Sequence, residues 1–145
     1  MMGIVALSPL ALAGCEKPNP GVTVWSGTNS EHVQALCWQF EEGQPLTPRE
    51  CAEDVVERAS SGEGITPVSV TPGGTVGISV DPVVADSGWS VQIGGQTVAS
   101  GLTGTYYRFT FPQVANNPEG FTMQVIAAAQ PTGNRGYWFF QLIPD

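Results

Sequence analysis

From Thr66 to the C-terminus, apolar and polar positions alternate with period two. Val68 and Val70 alternate with polar neighbours, and Thr71-Pro72-Gly73-Gly74 reads as a turn. Val76, Ile78 and Val80 then alternate with Thr75, Gly77 and Ser79, and Trp89, Val91 and Ile93 with Ser90 and Gln92. Gly94-Gly95 marks another turn, and Gln96 to Ala99 a short strand. Tyr107, Phe109 and Phe111 share one face, with Tyr106, Arg108 and Thr110 on the other. Phe121, Met123, Val125 and Ala127 follow, and a last strand is expected from Tyr137 to Ile143. Short strands at this spacing predict a β-sandwich.

The segment before Thr66 reads differently. Val22-Thr23-Val24-Trp25 is β-rich, Gly27 to Ser30 is a turn cluster, and Val33 to Phe40 is a second strand, giving a hairpin. In that second strand Leu36, Trp38 and Phe40 fall on one face and Cys37 on the other. Thr47-Pro48-Arg49-Glu50 has the form of a capping box, with Thr47 as N-cap, Pro48 at N1 and Glu50 at N3. It predicts a helix running to about Ala59 and stopping near Gly62. Cys51, Val55, Val56 and Ala59 form its apolar stripe, which turns Cys51 inward.

The last strand breaks the sandwich rule. Tyr137-Trp138-Phe139-Phe140-Gln141-Leu142-Ile143 is apolar on both faces, whereas an exposed sheet should have one wet face. The expectation is that the N-terminal hairpin and helix cover the outer face, because they need a surface to bury against. The other reading is an exposed binding patch.

The N-terminus points to export. Gly3 to Gly14 carries no charge and is mostly apolar. Twelve residues rise only ~18 Å as a helix, short of a ~30 Å hydrocarbon core, which is the size of a signal-peptide core. The stretch ends Leu12-Ala13-Gly14-Cys15, which resembles the lipobox of bacterial lipoprotein precursors. The resemblance implies cleavage after Gly14 and a diacylglyceryl thioether, with acyl chains such as palmitate, on Cys15. Paired acyl chains anchor stably where a single chain does not. Met1-Met2-Gly3 lacks the usual opening Lys or Arg, so a start further upstream is expected. Ordinary cleavage after Ala11-Leu12-Ala13 is the alternative. Residues 1–14 are thus expected to be the signal peptide, and 15–21, with Pro18, Pro20 and Gly21, a semi-extended tether. A single domain over 22–145 follows, with the hairpin and helix in 22–62 and the sandwich strands in 66–145.

Cysteine parity fits this. Of Cys15, Cys37 and Cys51, lipidation removes the first and leaves an even pair. Export to an oxidising compartment makes Cys37–Cys51 the expected disulfide. It would close a loop of about 14 residues, worth ~3 kcal/mol in the chain-entropy model.

Composition narrows the function. Thirteen Asp and Glu against five Lys and Arg give a net charge of −8 over 145 residues. Phosphate neutralisation needs clustered cations, so no nucleic-acid partner is expected. Seven carboxylates and two arginines in residues 41–63 hold −5 of that charge. The reading is a solvated helix face, its first-turn acids favoured by the helix dipole. The order of strands from 66 to 145, with an early Pro-Gly turn and Trp89 on the third strand, resembles bacterial immunoglobulin-like domains. That implies a fold and no activity. The whole chain also resembles small lipoproteins common in actinobacteria, a likeness that carries no function with it.

Enzyme signatures are absent. His32 is the single histidine, placed in or beside the hairpin turn, with no nucleophile motif beside it. No His/Cys cluster remains for a transition metal, and no D-x-D-x-D-G loop for calcium. Asp81 and Asp86 flank a loop, Pro82 to Ala85, where an Asx turn is expected. No cofactor and no metal are anticipated. The reading is a non-enzymatic lipoprotein, lipid-anchored on the extracytoplasmic face of the cell membrane. It would serve as a binding or accessory module for an envelope protein or polymer. Trp25, Tyr106, Arg108 and Tyr137 are the candidate contacts, since Tyr, Trp and Arg are enriched at interfaces. A small lipid or glycan carrier with an apolar pocket is the alternative, and an enzyme built on His32 a third.

Overall fold

Ten strands form two facing sheets in the computed structural model, which describes residues 17–113 and 117–145. The strands are β1 (Gly21–Ser26), β2 (Asn29–Gln34), β3 (Cys37–Trp38), β4 (Thr66–Val70), β5 (Thr75–Val80), β6 (Trp89–Ile93), β7 (Gln96–Leu102), β8 (Tyr106–Thr110), β9 (Phe121–Ala128) and β10 (Asn134–Pro144). The first sheet runs β2-β1-β5-β8. The second runs β3-β10-β9-β6-β7, with β4 pairing in parallel along the C-terminal half of β10. This is the expected immunoglobulin-like β-sandwich.

The core is what alternation predicts. Val22, Val24, Val76, Ile78 and Val80 from the first sheet face Trp89, Val91, Met123, Val125, Trp138, Phe140 and Leu142 from the second, all buried. Burying each large side chain contributes ~1.5–3 kcal/mol. Both deeply buried indoles satisfy their N–H groups, Trp89 to the Gly104 carbonyl at 2.8 Å and Trp138 to the Pro20 carbonyl at 2.9 Å. Gly94 and Gly95, at φ 58° and 80°, make the two-residue turn between β6 and β7, where both central residues need positive φ.

Four expectations need correction. The strand expected over Val33–Phe40 is not continuous. It leaves the first sheet after Gln34 and resumes as β3 in the second, where Cys37 and Trp38 pair with Tyr137 and Gly136. Strict alternation is lost at this switch: Leu36 and Phe40 are exposed while Cys37 and Trp38 are both buried.

The helix starts late. Thr47 Oγ1 donates to Glu50 Oε1 at 2.8 Å, side chain to side chain and not to the backbone N–H groups of a capping box, and the segment closes one isolated turn. Ala52 is extended, with ψ 140°, and α1 spans Glu53–Ser60 with no side-chain cap. It ends before Gly62, as expected, and only Ala59 of its stripe is buried.

The loop after Asp81 is a second helix, α2 (Pro82–Ser87), with proline in its first turn and Val84 and Ala85 buried. Asp81 makes no Asx turn contact there; its carboxylate accepts the Gly21 N–H at 2.8 Å. Finally, the C-terminal part of the expected tether belongs to the domain. Asn19 Nδ2 donates to the Ala35 carbonyl, Pro20 O accepts from Ala35 N and Trp138 Nε1, and β1 begins at Gly21.

The outer face of β10 is covered at its centre, as expected. Phe139 is 4% exposed, with Ala59 of α1, Leu36 and Ile65 closing around it. The acidic segment therefore lies on the outside of the second sheet. Residue Arg135, which the sequence did not single out, is buried at the other end of β10. Its guanidinium donates to the Gln39 and Phe40 carbonyls and to Ser87 Oγ, and stacks 4.4 Å above the Trp38 ring.

Candidate functional site

The outer face of the first sheet gathers the candidate residues. Registers place Trp25 on β1 beside Gly77 on β5, and Gly77 beside Arg108 on β8. The adjacent row is His32 on β2, Thr23, Ser79 and Tyr106. Gly77 has no side chain, and a Cβ there would collide with the indole of Trp25, so the indole lies over the bare backbone. His32 covers Gly21 in the same manner and pairs through Nδ1 with Thr23 Oγ1 at 2.7 Å.

Tyr106 meets Trp25 on this face. Their ring centroids are 6.3 Å apart and their planes 12° from parallel. Tyr106 is 46% exposed, and Trp25 is half-buried while the other three tryptophans are buried. Arg108 is exposed beside them and takes no part in an ion pair among the described residues, where Arg58–Asp54 forms one on α1. Alternation thus separated Tyr106 and Arg108 from the inward Tyr107 and Phe109 correctly. Tyr106 stacks on Trp25, not on Arg108.

Tyr137 does not join this face. It lies on β10 at the outside of the second sheet, stacked on Phe139 with centroids 6.3 Å apart, and its hydroxyl accepts from Asn134 Nδ2 at 2.8 Å. His32 sits within strand β2, exposed, and not in the hairpin turn. No carboxylate of the described residues lies within 4.0 Å of its ring. His32, Thr23 and Ser79 enter the face only through register, a signal that strand pairing alone supplies.

Cys37 and Cys51 form the expected disulfide, with Cα atoms 5.6 Å apart. It ties the turn before α1 to β3, not the helix itself. Cys15 and the Leu12–Cys15 motif lie outside the described residues. Among the described residues no helix is long and apolar enough to cross a membrane, and no cluster of three metal-ligating side chains occurs.

One apolar cleft of about 510 Å³ opens at the free edges of the two sheets, lined by Ile93, Val98, Phe109, Phe111 and Phe121 among others. A smaller one, about 320 Å³, lies beside Arg135, with Asp86 and Glu42 on its walls.

No protein-family model and no curated protein sequence matches this chain. Among solved structures, it is similar to the fibronectin(III)-like modules of Clostridium thermocellum CbhA, at 13% identity and TM-score 0.42, over 56% of this chain and 88% of that one. A lytic polysaccharide monooxygenase of Jonesia denitrificans is similar at 16% identity and TM-score 0.37, over 72% of this chain and 76% of that one.

Proposed function

We propose that this chain is a lipid-anchored, extracytoplasmic binding or accessory module. In this reading Cys15 carries the lipid on the outer side of the cell membrane, and the outer face of the β2-β1-β5-β8 sheet engages an envelope protein or polymer. One observation carries the binding role: on the solvent face the exposed Tyr106 ring lies near-parallel to the half-buried Trp25 ring, which covers Gly77, and the exposed Arg108 guanidinium beside them makes no ion pair among the described residues. A sheet's solvent face is ordinarily polar, and exposed aromatics set among small polar residues mark interaction sites.

Two measurements test it. Intact mass of membrane-extracted protein, expressed with its upstream start, should show a chain beginning at Cys15 with a diacylglycerol-sized increment. An unmodified chain beginning at Gly14 overturns the anchor. Co-sedimentation of the purified full chain with isolated envelope material should fall sharply on Trp25→Ala or Tyr106→Ala. Unchanged retention by folded variants overturns the binding face.

The cleft at the sheet edges supports a second reading, carriage of a small apolar molecule. It expects a fluorescent fatty acid to be displaced on Val98→Glu while the Trp25 variants hold it.

A further inference from the structure

We infer that the ligand of this face is a glycan built of β-linked pyranose units, stacked by its C–H faces on Trp25 and Tyr106; the inference rests on the binding reading above. The indole covers Gly77, so its plane follows the sheet, and Tyr106 at 12° follows the same plane. The face therefore presents two ring surfaces, not ring edges. Aromatic surfaces are electron-rich. They attract the weakly positive axial C–H hydrogens of a gluco-configured pyranose, whose ring substituents all point outward around its rim. Equatorial linkages keep successive sugar faces in one flat ribbon. Axial linkages turn each face away from the last. Two near-parallel rings with centroids 6.3 Å apart suit the ribbon.

The surroundings fit the rim of such a ligand. Ser79, Thr23, Ser30 and Thr110 stay low around the rings, and the Arg108 guanidinium and the His32 ring offer longer-reaching hydrogen-bonding groups. Other partners fit less well. A stable protein interface removes ~800 Å² per partner around a well-packed apolar centre. Two aromatic side chains supply at most ~300–500 Å², and the neighbours here are glycine, serine and threonine. A polyanion or an acidic membrane surface needs clustered cations, and this face carries one arginine.

The test uses the full chain in detergent with three hexasaccharides: β-1,4-linked glucose, β-1,4-linked N-acetylglucosamine and, as control, α-1,4-linked glucose. Because Trp25 is the half-buried tryptophan and the rest are buried, its emission reports the face directly. A saturable change with at least one β-linked hexamer and none with the α-linked one is expected. By calorimetry, Trp25→Ala and Tyr106→Ala should each weaken binding about tenfold or more, with Tyr106→Phe close to wild type and all variants keeping their far-UV spectra. If no β-linked hexamer binds, the glycan inference fails. Envelope retention that still depends on Trp25 and Tyr106 would then leave the binding reading standing with a different partner. Loss of both results ends both. Equal response to the α-linked hexamer also overturns the inference, since flat-ribbon selection is its content.

Discussion

At the scale of residues, glycine does as much as the aromatics. Gly77 gives Trp25 a place to lie, and that arrangement sets a clear expectation. Gly77→Ala puts a methyl where the indole rests and lifts the ring. Stability should drop by about 1 kcal/mol, the low end of overpacking costs because a surface ring can move aside. The Trp25 emission should shift, since the stack on Tyr106 is lost. Arg135 is the converse case, a charge buried without a carboxylate. Three neutral acceptors and the Trp38 face hold it. Arg135→Met keeps the volume and leaves two loop carbonyls without a donor, so chemical denaturation should report a loss of about 3 kcal/mol. Little of this was legible beforehand. Side-chain parity along β8 told Tyr106 and Arg108 from their inward neighbours. That Trp25 would meet Tyr106 depends on β5 lying between β1 and β8, an order that no local pattern encodes.

At the scale of elements, local signals worked where tertiary structure agreed with them. The period-two runs became β4, β5, β6, β8 and β9 because each has one face on the core. At Thr47 the two side chains of the box bond each other instead of the backbone N–H groups, and no helix starts there, since Cys51 is bound to Cys37 and the chain extends at Ala52 before α1 begins. Ala52 thus stands at an N-cap without a capping side chain. Ala52→Asp or Ala52→Ser should stabilise the fold by about 1 kcal/mol, read as a raised melting temperature. The disulfide closes a 14-residue separation. Reducing it, or replacing both cysteines by serine, should lower stability by ~3 kcal/mol. The double variant should then be indifferent to reductant. Asp81-Pro82 was a readable helix start, with proline favoured in the first turn, yet the six residues of α2 are too few to show a period.

At the scale of the whole molecule, the two outer faces have different chemistry. The first sheet shows rings, hydroxyls and Arg108. The second is covered around Phe139 of β10 by the segment holding α1, and residues 41–63 carry −5 of the net −8. The same burial explains why β10 is apolar on both sides, with Phe139 sealed beneath that segment. If the ligand is an uncharged glycan, raising ionic strength from low to physiological should change binding at the ringed face little, because stacking and hydrogen bonds to an uncharged partner are weakly screened. A steep salt dependence in the same titration would contradict that picture.

The entry of the chain into β1 has a mechanical consequence. Tension between a tether upstream of Asn19 and a load held at Trp25 would run along one strand, from Gly21 to Trp25. That strand is paired over its whole length with β2 on one side and over Val22–Ser26 with β5 on the other, both antiparallel. The pull would shear two ladders at once instead of peeling one bond at a time. Its first anchorage is the Pro20 carbonyl, gripped by Ala35 and by the buried Trp138 of the opposite sheet. Force would thus pass along β1, a strand held on both sides, without bending the sandwich.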